Sequence, residues 1–466
     1  MKSFGTLLTE YLEKLEITQS YAAQLIGCSR AMIYSVLNDE KKLTEAKFQH
    51  LLTIFDFTDE QISNLRFAYY KDKYPAGAIE RIYRINHFMQ GRHQCENPRK
   101  AEPAQIPSES CAVSGTQNLE ALISAVILDK TTKTITTNYS FCDKVTDDAV
   151  FFSLIQRRDR IDFRHIITFD NSNSSDVNIS NIFLSIRFIR HGFNPMYRFA
   201  EEKKENELYP YFIITDNYLI LFNHKSACGM FITEDSIIRS TLTMAETVLE
   251  ECTPLATYHA DIFELKSSIT KVSSNKLSYA FGNSACIIPF MPEFIERIAA
   301  DNLPNRELLV KIAIDHYKKL GYHSGAVMFP QSALERFAAE GRVCNFPLNW
   351  TKPMSFEDRQ TVLEILKGFA EGENPKIRIL YDQSMGLSDK FLSMDIFERY
   401  MCISGSFADS ENPYCGEYSI FIRNTNIISD FRFYIDFNKR NRIHLESDIA
   451  VEFIDSLKLE CERNKK

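Results

Sequence analysis

Between positions 18 and 42 the chain gathers its densest set of chemically useful side chains: Gln19, Ser29, Arg30, Ser35, Asn38, Lys41 and Lys42, with Tyr34 and the small Ala31 among them. Guanidinium, ammonium, amide and hydroxyl groups at this spacing suit hydrogen bonds to phosphate oxygens and base edges rather than bond cleavage. Elsewhere the residues able to do chemistry are scattered. There is no G-x-x-x-x-G-K-[ST] loop, no G-x-G-x-x-G after a strand, and neither H-E-x-x-H nor G-x-S-x-G. The ten His are dispersed, and none makes a metal-ligand spacing with Cys. Arg164-His165 and Arg190-His191 each follow an apolar element and could edge a site for an anion, although such pairs are more often satisfied surface or core groups. The aromatic runs 193–199 (FNPMYRF) and 431–437 (FRFYIDF) read as core more readily than as pocket lining. The expectation is no catalytic residue, no metal and no cofactor.

Two short helices must position the dense group. Gln19 opens the first, with Ala22, Ala23 and Ile26 on its apolar side. Gly27 follows, where a residue of positive φ ends a helix. Cys28 turns inward as a small apolar plug, and Ser29 is a good N-cap. The second helix buries Ile33, Val36 and Leu37 and leaves Arg30, Ala31, Tyr34 and Ser35 outside; Asn38 and Asp39 stop it.

This stretch, TQSYAAQLIGCSRAMIYSVLN over 18–38, resembles the lambda-repressor-like (XRE/Cro-type) helix-turn-helix family. The family's pattern runs T-Q-x-x-x-A-x-x-L-G-V-S-x-x-x-I-S-x-x-L-N-G. Thr18, Gln19, Ala23, Gly27, Ser29, Ile33, Leu37 and Asn38 match it; Ile26 stands for the Leu and Cys28 for the Val. Tyr34 replaces a Ser, and Asp39 replaces the closing Gly and would sit unfavourably near phosphate. The resemblance covers about the first seventy residues. It implies a transcriptional regulator that binds a pseudo-palindromic operator in double-stranded DNA as a homodimer. Ser29, Arg30, Ala31, Tyr34 and Ser35 would face the major groove, and Gln19, Asn38, Lys41 and Lys42 would hold phosphates.

The periodicity of residues 1–70 agrees with a small all-helical unit. Phe4, Leu7, Leu8, Tyr11, Leu12 and Leu15 form one helical face over 3–16; Phe48, Leu51, Leu52 and Phe55 form another after Thr44; and 59–70 carries Ile62, Leu65 and Tyr69. Charge complicates the DNA expectation. Residues 1–70 hold seven Lys/Arg against nine Asp/Glu, a net of −2, whereas 71–100 hold seven against three, a net of +4. Since phosphate contacts supply most non-specific affinity, the helical unit alone is a weak polyelectrolyte and needs a partner copy or the connector. The amphipathic segment 76–90 reads as a connector helix, packed in cis or paired with its twin, and 91–118, with Pro98, Pro103 and Pro107, reads as a linker.

At 466 residues the chain has room for two to four domains. Hydrophobic and charged fractions of 44% and 25% are those of a globular protein. Eleven Cys without any C-x-x-C pair fit reduced cysteines in a cytoplasm. Neither a signal peptide nor a membrane-spanning run is expected. The predicted fold class is multidomain: an all-α helix-turn-helix domain (1–72), the connector and linker (73–118), then an α/β (α+β) region of two units, 119–275 and 276–466, for ligand sensing or dimerisation. Its effector would be a small molecule. Expected strands or buried short elements lie near 149–155, 162–169, 285–290, 376–381 and 418–423, and 209–223 reads as a hairpin turning at Asp216-Asn217. No short-period repeat is visible. Two alternatives stand beside the regulator. One is a protein-binding scaffold. The other is an enzyme with a helix-turn-helix appendage: after the hairpin, His224-Lys225 loosely resembles the H-x-K-x-x-x-x-D region of phospholipase-D-like proteins, but the two are adjacent and Met230-Phe231 stand where the Asp would be, a degenerate version.

Overall fold

Each helix of the N-terminal unit begins where the sequence offers a hydroxyl. The computed structural model describes residues 2–71, 74, 77–89, 105–139, 147–170, 176–200, 208–223, 226–259, 277–282, 291–303, 305–319, 326–343, 351–372, 375–380, 392–406, 417–440 and 444–463. In it α1 (Phe4–Lys14), α2 (Gln19–Ile26), α3 (Arg30–Leu37), α4 (Glu45–Ile54) and α5 (Asp59–Tyr70) are capped by Ser3, Thr18, Ser29, Thr44 and Thr58. The cap oxygens accept the backbone N–H of Thr6, Tyr21, Met32, Lys47 and Gln61. Each such cap contributes about 1 kcal/mol. The apolar faces meet around Leu8, Ile33, Val36, Phe48, Leu51 and Leu65. Phe48 stacks on Tyr69 at 3.9 Å between centroids, and Tyr69 donates its hydroxyl to the Leu43 carbonyl at 2.8 Å.

After α6 (Ala78–Met89) come two mixed sheets. The first unit runs β1 (Cys111–Ser114), α7 (Thr116–Leu128), β2 (Thr134–Thr137), α8 (Asp147–Gln156), β3 (Asp162–Asp170), α9 (Asp176–Arg190), β4 (Met196–Ala200), β5 (Tyr211–Thr215), β6 (Leu219–Asn223), β7 (Cys228–Ile232), α10 (Asp235–Glu250) and β8 (Thr253–Pro254). Its strand order is β1-β7-β6-β5-β2-β3-β4-β8. The second runs β9 (Ala256–His259), β10 (Leu277–Gly282), α11 (Phe294–Ile298), α12 (Arg306–Lys319), β11 (Ala326–Pro330), α13 (Gln331–Glu340), α14 (Phe356–Ala370), β12 (Ile377–Leu380), β13 (Leu392–Phe397), β14 (Met401–Ser406), β15 (Glu417–Ile422), α15 (Thr425–Arg440) and α16 (Ser447–Arg463). Its order is β12-β11-β10-β13-β14-β15-β9.

The two units share one topology. From β4 the first sheet reads β4-β3-β2-β5-β6-β7-β1, the path that β12 to β9 follows in the second, with β8 an addition. The neighbours β2–β3–β4 and β10–β11–β12 are parallel, and the others antiparallel. The central hairpins correspond residue for residue. Thr215 N–H donates to the Tyr218 carbonyl at 2.8 Å, and Phe397 N–H to the Tyr400 carbonyl at 2.9 Å. Ile214 faces Leu219 as Ile396 faces Met401. Beyond Ile232 and Ile422, which end equivalent strands, each chain segment enters a helix carrying paired isoleucines at the same offset, Ile237-Ile238 and Ile427-Ile428.

In the first unit α7, α8 and α9 pack on one sheet face and α10 on the other. In the second, α11 to α14 and α16 form one layer and α15 the other. The connector helix α6 packs in cis, as one of its two expected arrangements. Its Ile79, Ile82 and Ile85 are buried in a core shared by α5, α9 and α15. Arg81 pairs with Asp430 at 2.8 Å, Phe67 stacks on Phe437 at 5.7 Å, and Tyr74 meets Phe433 at 5.3 Å.

Several expectations are sharpened or corrected. Of the two readings of 149–155, a strand or a buried short element, the second holds: Val150, Phe151 and Leu154 bury one helical side of α8, and tertiary packing overrides the β-propensity of its aromatics. The run 431–437, read as core, is buried in α15, where Phe431, Tyr434 and Ile435 recur at helical spacing on the sheet. A strand, β1, stands inside the stretch read as linker, and the second sheet takes its first strand at Ala256–His259, ahead of the boundary expected at 275. The strand expected at 285–290 lies outside the described residues. Among the described residues no helix is long and apolar enough to cross a membrane.

Candidate nucleic-acid interface

The junction between α2 and α3 is built from the backbone outward. Gly27 sits at φ 70, a conformation glycine adopts without steric cost. Cys28 N–H donates to the Ala23 carbonyl at 2.9 Å and Gly27 N–H to Gln24 at 3.2 Å, the two bonds of a Schellman motif. Ser29 then caps α3 by accepting Met32 N–H at 3.2 Å. Helix α4 braces the turn: Lys47 Nζ donates to the Gly27 carbonyl at 2.8 Å, and the His50 ring meets the Leu25 carbonyl at 3.2 Å. Burial pushes the Cys28 thiol pKa up, with Lys47 opposing, so this cysteine is a packing group.

Helix α3 is sharply two-sided. Ile33 and Val36 are fully buried, whereas Arg30, Ala31 and Tyr34 are exposed, Tyr34 to 57%. Ser29, Gln19, Asn38, Lys41 and Lys42 are also exposed, and Ser35 is half-buried. The nine residues singled out from the sequence thus lie in or beside the α2–α3 pair. Tyr21, exposed in the first turn of α2 beside the Thr18 cap, was not singled out. Its place two residues after Gln19 on the polar side of α2 was the available signal.

Asp39 has a structural partner within the helical unit. At φ 58 its backbone is left-handed, and the side chain swings onto the N-terminus of α1. Oδ1 accepts Gly5 N–H at 2.7 Å, and Oδ2 accepts the Ser3 hydroxyl. Its exposed carboxylate thus caps two donors at the positive end of a helix. Glu45 is likewise engaged, accepting from Gln49 and the Tyr70 hydroxyl. Burial, then this carboxylate, pushes the Tyr70 phenol pKa up.

The other sequence candidates do not converge. Arg164 and His165 project from opposite faces of β3. Arg164 pairs with Asp162 at 2.8 Å and lies 3.8 Å from Glu246. His165 is buried, its Nε2 bonded to the Tyr139 carbonyl at 2.8 Å, and desolvation lowers its pKa to about 4. The ring is a neutral core group. His191 packs its ring edge-on to Phe151 at 5.5 Å. The side chain of Arg190, and both His224 and Lys225, lie outside the described residues. Phe193 is core and Phe199 is exposed. A cavity of about 10 Å³ beside α7, lined mainly by Leu119, Ile123, Tyr139, Val150 and Phe222, has room for about one water. Among the described residues no group of three His, Cys, Asp or Glu could hold a metal ion.

No family model matches the chain, and no curated protein matches its sequence. Among solved structures it is similar to the crystal structure of polyphosphate kinase from Porphyromonas gingivalis, at 11% identity over 78% of this chain and 56% of that one, with a TM-score of 0.25. The chain thus spans little more than half of that protein, and a likeness this slight carries no argument about activity.

Proposed function

We propose that the chain is a DNA-binding transcriptional regulator whose α2–α3 pair is a helix-turn-helix of the XRE/Cro type. The two-sidedness of α3 carries the reading: Ile33 and Val36 anchor it, while Arg30, Ala31 and Tyr34 stand clear at the turns a recognition helix offers to base edges. Ser29 and Ser35 flank them, and Gln19, Asn38, Lys41 and Lys42 hold the backbone phosphates. The two sheet units sense a small-molecule effector or assemble the regulator, and the core shared through α6 couples them physically to the reading unit. The net charge of −2 over residues 1–70 favours a second reading, in which the helical unit binds protein instead.

Selection of duplexes from a random pool by the full-length protein separates the two. The regulator reading expects a recurrent motif whose affinity falls steeply with salt. A pool without enrichment, and retention indifferent to salt, would contradict it.

A further inference from the structure

The internal duplication shows which side chains the shared topology needs. On β12, Ile377 and Ile379 join the core beneath α11 to α14 and Leu380 the core beneath α15, so Arg378 lies on the α15 face. It is 5% exposed. Its Nε is buried without an acceptor, and among the described residues no carboxylate pairs with its guanidinium. Register places Met196 at the same point of the first unit: Met328 faces Arg378 as Ile166 faces Met196. The same fold thus forms with an uncharged side chain at this position. Three more polar groups gather beneath α15. Tyr279 of β10 donates its hydroxyl to Asp436 of α15 at 2.9 Å. Arg432, one turn before Asp436, donates Nη2 to the Phe397 and Glu398 carbonyls at 2.5 and 2.7 Å, and its Nε is buried without an acceptor. Both guanidiniums act on Tyr279: burial and then the Asp436 carboxylate push its phenol pKa up, while Arg378 and Arg432 oppose the rise. The first unit has Thr136, Leu242 and Glu246 at these places, so it keeps a carboxylate there and lacks both cations.

We propose that the second sheet unit binds a small oxyanion, the phosphate or carboxylate group of an effector, beneath α15, with Arg378 as its anchor and Arg432 as the second cation. A guanidinium cannot shed its charge. A buried charge needs a partner, because its lost hydration is otherwise uncompensated. Asp436 is the carboxylate of the cluster and already accepts from Tyr279, so two cations face one anion and a net positive charge is left. The planar donors of a guanidinium grip two oxygens of a phosphate or carboxylate at once, which chloride cannot match. Tyr279, Arg432 and Asp436 are each half-buried, so the group reaches solvent and an anion need not cross the core. The helix above the site also holds the reading unit: α15 meets α5 and α6 through the Phe67–Phe437 and Tyr74–Phe433 ring contacts and the Arg81–Asp430 pair. An anion at Arg378 therefore acts on the helix to which the reading unit is docked. The proposal deepens the effector-sensing reading of the sheet units and does not depend on the DNA reading.

Thermal unfolding of the full-length chain in inorganic phosphate, in acetate and in chloride of the same ionic strength tests it. Against chloride, phosphate or acetate at millimolar concentration should raise the melting temperature saturably, by roughly 3 °C at 100 times its dissociation constant. A rise with phosphate alone marks a phosphoryl ligand, and a rise with acetate alone a carboxylate. Arg378→Met gives the second unit the residue the first unit carries at this position. It should melt in chloride no lower than the wild type and show no rise with either anion. A wild-type melt indifferent to both anions overturns the proposal, as does a rise that persists in Arg378→Met. A variant that does not fold would show that the fold itself needs the cation, and overturns it as well. None of these outcomes touches the DNA reading, because no arm measures DNA binding.

Discussion

Asp39 offers a test in which three substitutions separate three contributions. Its carboxylate caps α1 from outside the helix, and its backbone holds φ 58. Alanine removes the acceptor for Gly5 N–H, a loss of about 1 kcal/mol, and places an ordinary L-residue in the left-handed region at a further cost of about 1 kcal/mol. Together these predict a loss of about 2 kcal/mol. Asparagine keeps both an acceptor oxygen and tolerance of positive φ, and loses only the charge at the helix end, about 0.5 kcal/mol. Glycine keeps the backbone and loses the cap, about 1 kcal/mol. The expected order of destabilisation is Asn, then Gly, then Ala. Hydrogen exchange of the amides in α1 and α3 reads it locally, even though the unit shares its core with the rest of the chain. Asparagine as damaging as alanine, or alanine within about 0.5 kcal/mol of wild type, would refute the capping role.

Gly5→Ala ordinarily favours a helix by about 1 kcal/mol, but here an added Cβ would stand 2.4 Å from the Leu37 carbonyl oxygen and 2.7 Å from that of Val36. Overpacking against backbone costs about 1–3 kcal/mol, so a net loss of stability is expected, and a stabilised Gly5→Ala chain would contradict the close approach of α1 to α3. His165, whose pKa of about 4 lies below its ordinary 6.5, takes up protons on unfolding. Its contribution should therefore be intact above pH 6.5 and fall away toward pH 4, by on the order of 3 kcal/mol. In denaturant titrations across that range the acid loss should shrink in His165→Gln, and an unchanged slope would argue against a neutral buried ring.

What was legible in the sequence depended on whether local chemistry decided the structure. The five N-terminal helices were readable because each begins at a Ser or Thr cap and repeats its apolar residues on one face. The exposed face of α3 followed from Ile33 and Val36 alone. The hairpin at Asp216-Asn217 was readable from its two apolar runs. The duplication was not, because what it preserves is strand order and register, and register leaves residue types free on each side of the pairing: Phe212 stands where Met394 does, and Leu221 where Ile403 does. The capping role of Asp39 was hidden for a related reason. Its partner Gly5 is 34 residues away, and only the tertiary fold reveals that the carboxylate has a helix end to cap. The segment 149–155 is aromatic enough to resemble a strand, and only packing against the sheet resolves it as a helix.

The central claim is that the outward face of α3 reads DNA. Its most direct test is the affinity of the Arg30→Ala/Tyr34→Ala protein for a duplex selected by the wild type, set beside a scrambled duplex of the same length. Both residues are exposed, so the thermal melt should be unaltered. The account predicts that preference for the selected duplex disappears while weak, salt-sensitive binding to both remains. Preference retained at the wild-type level would contradict it.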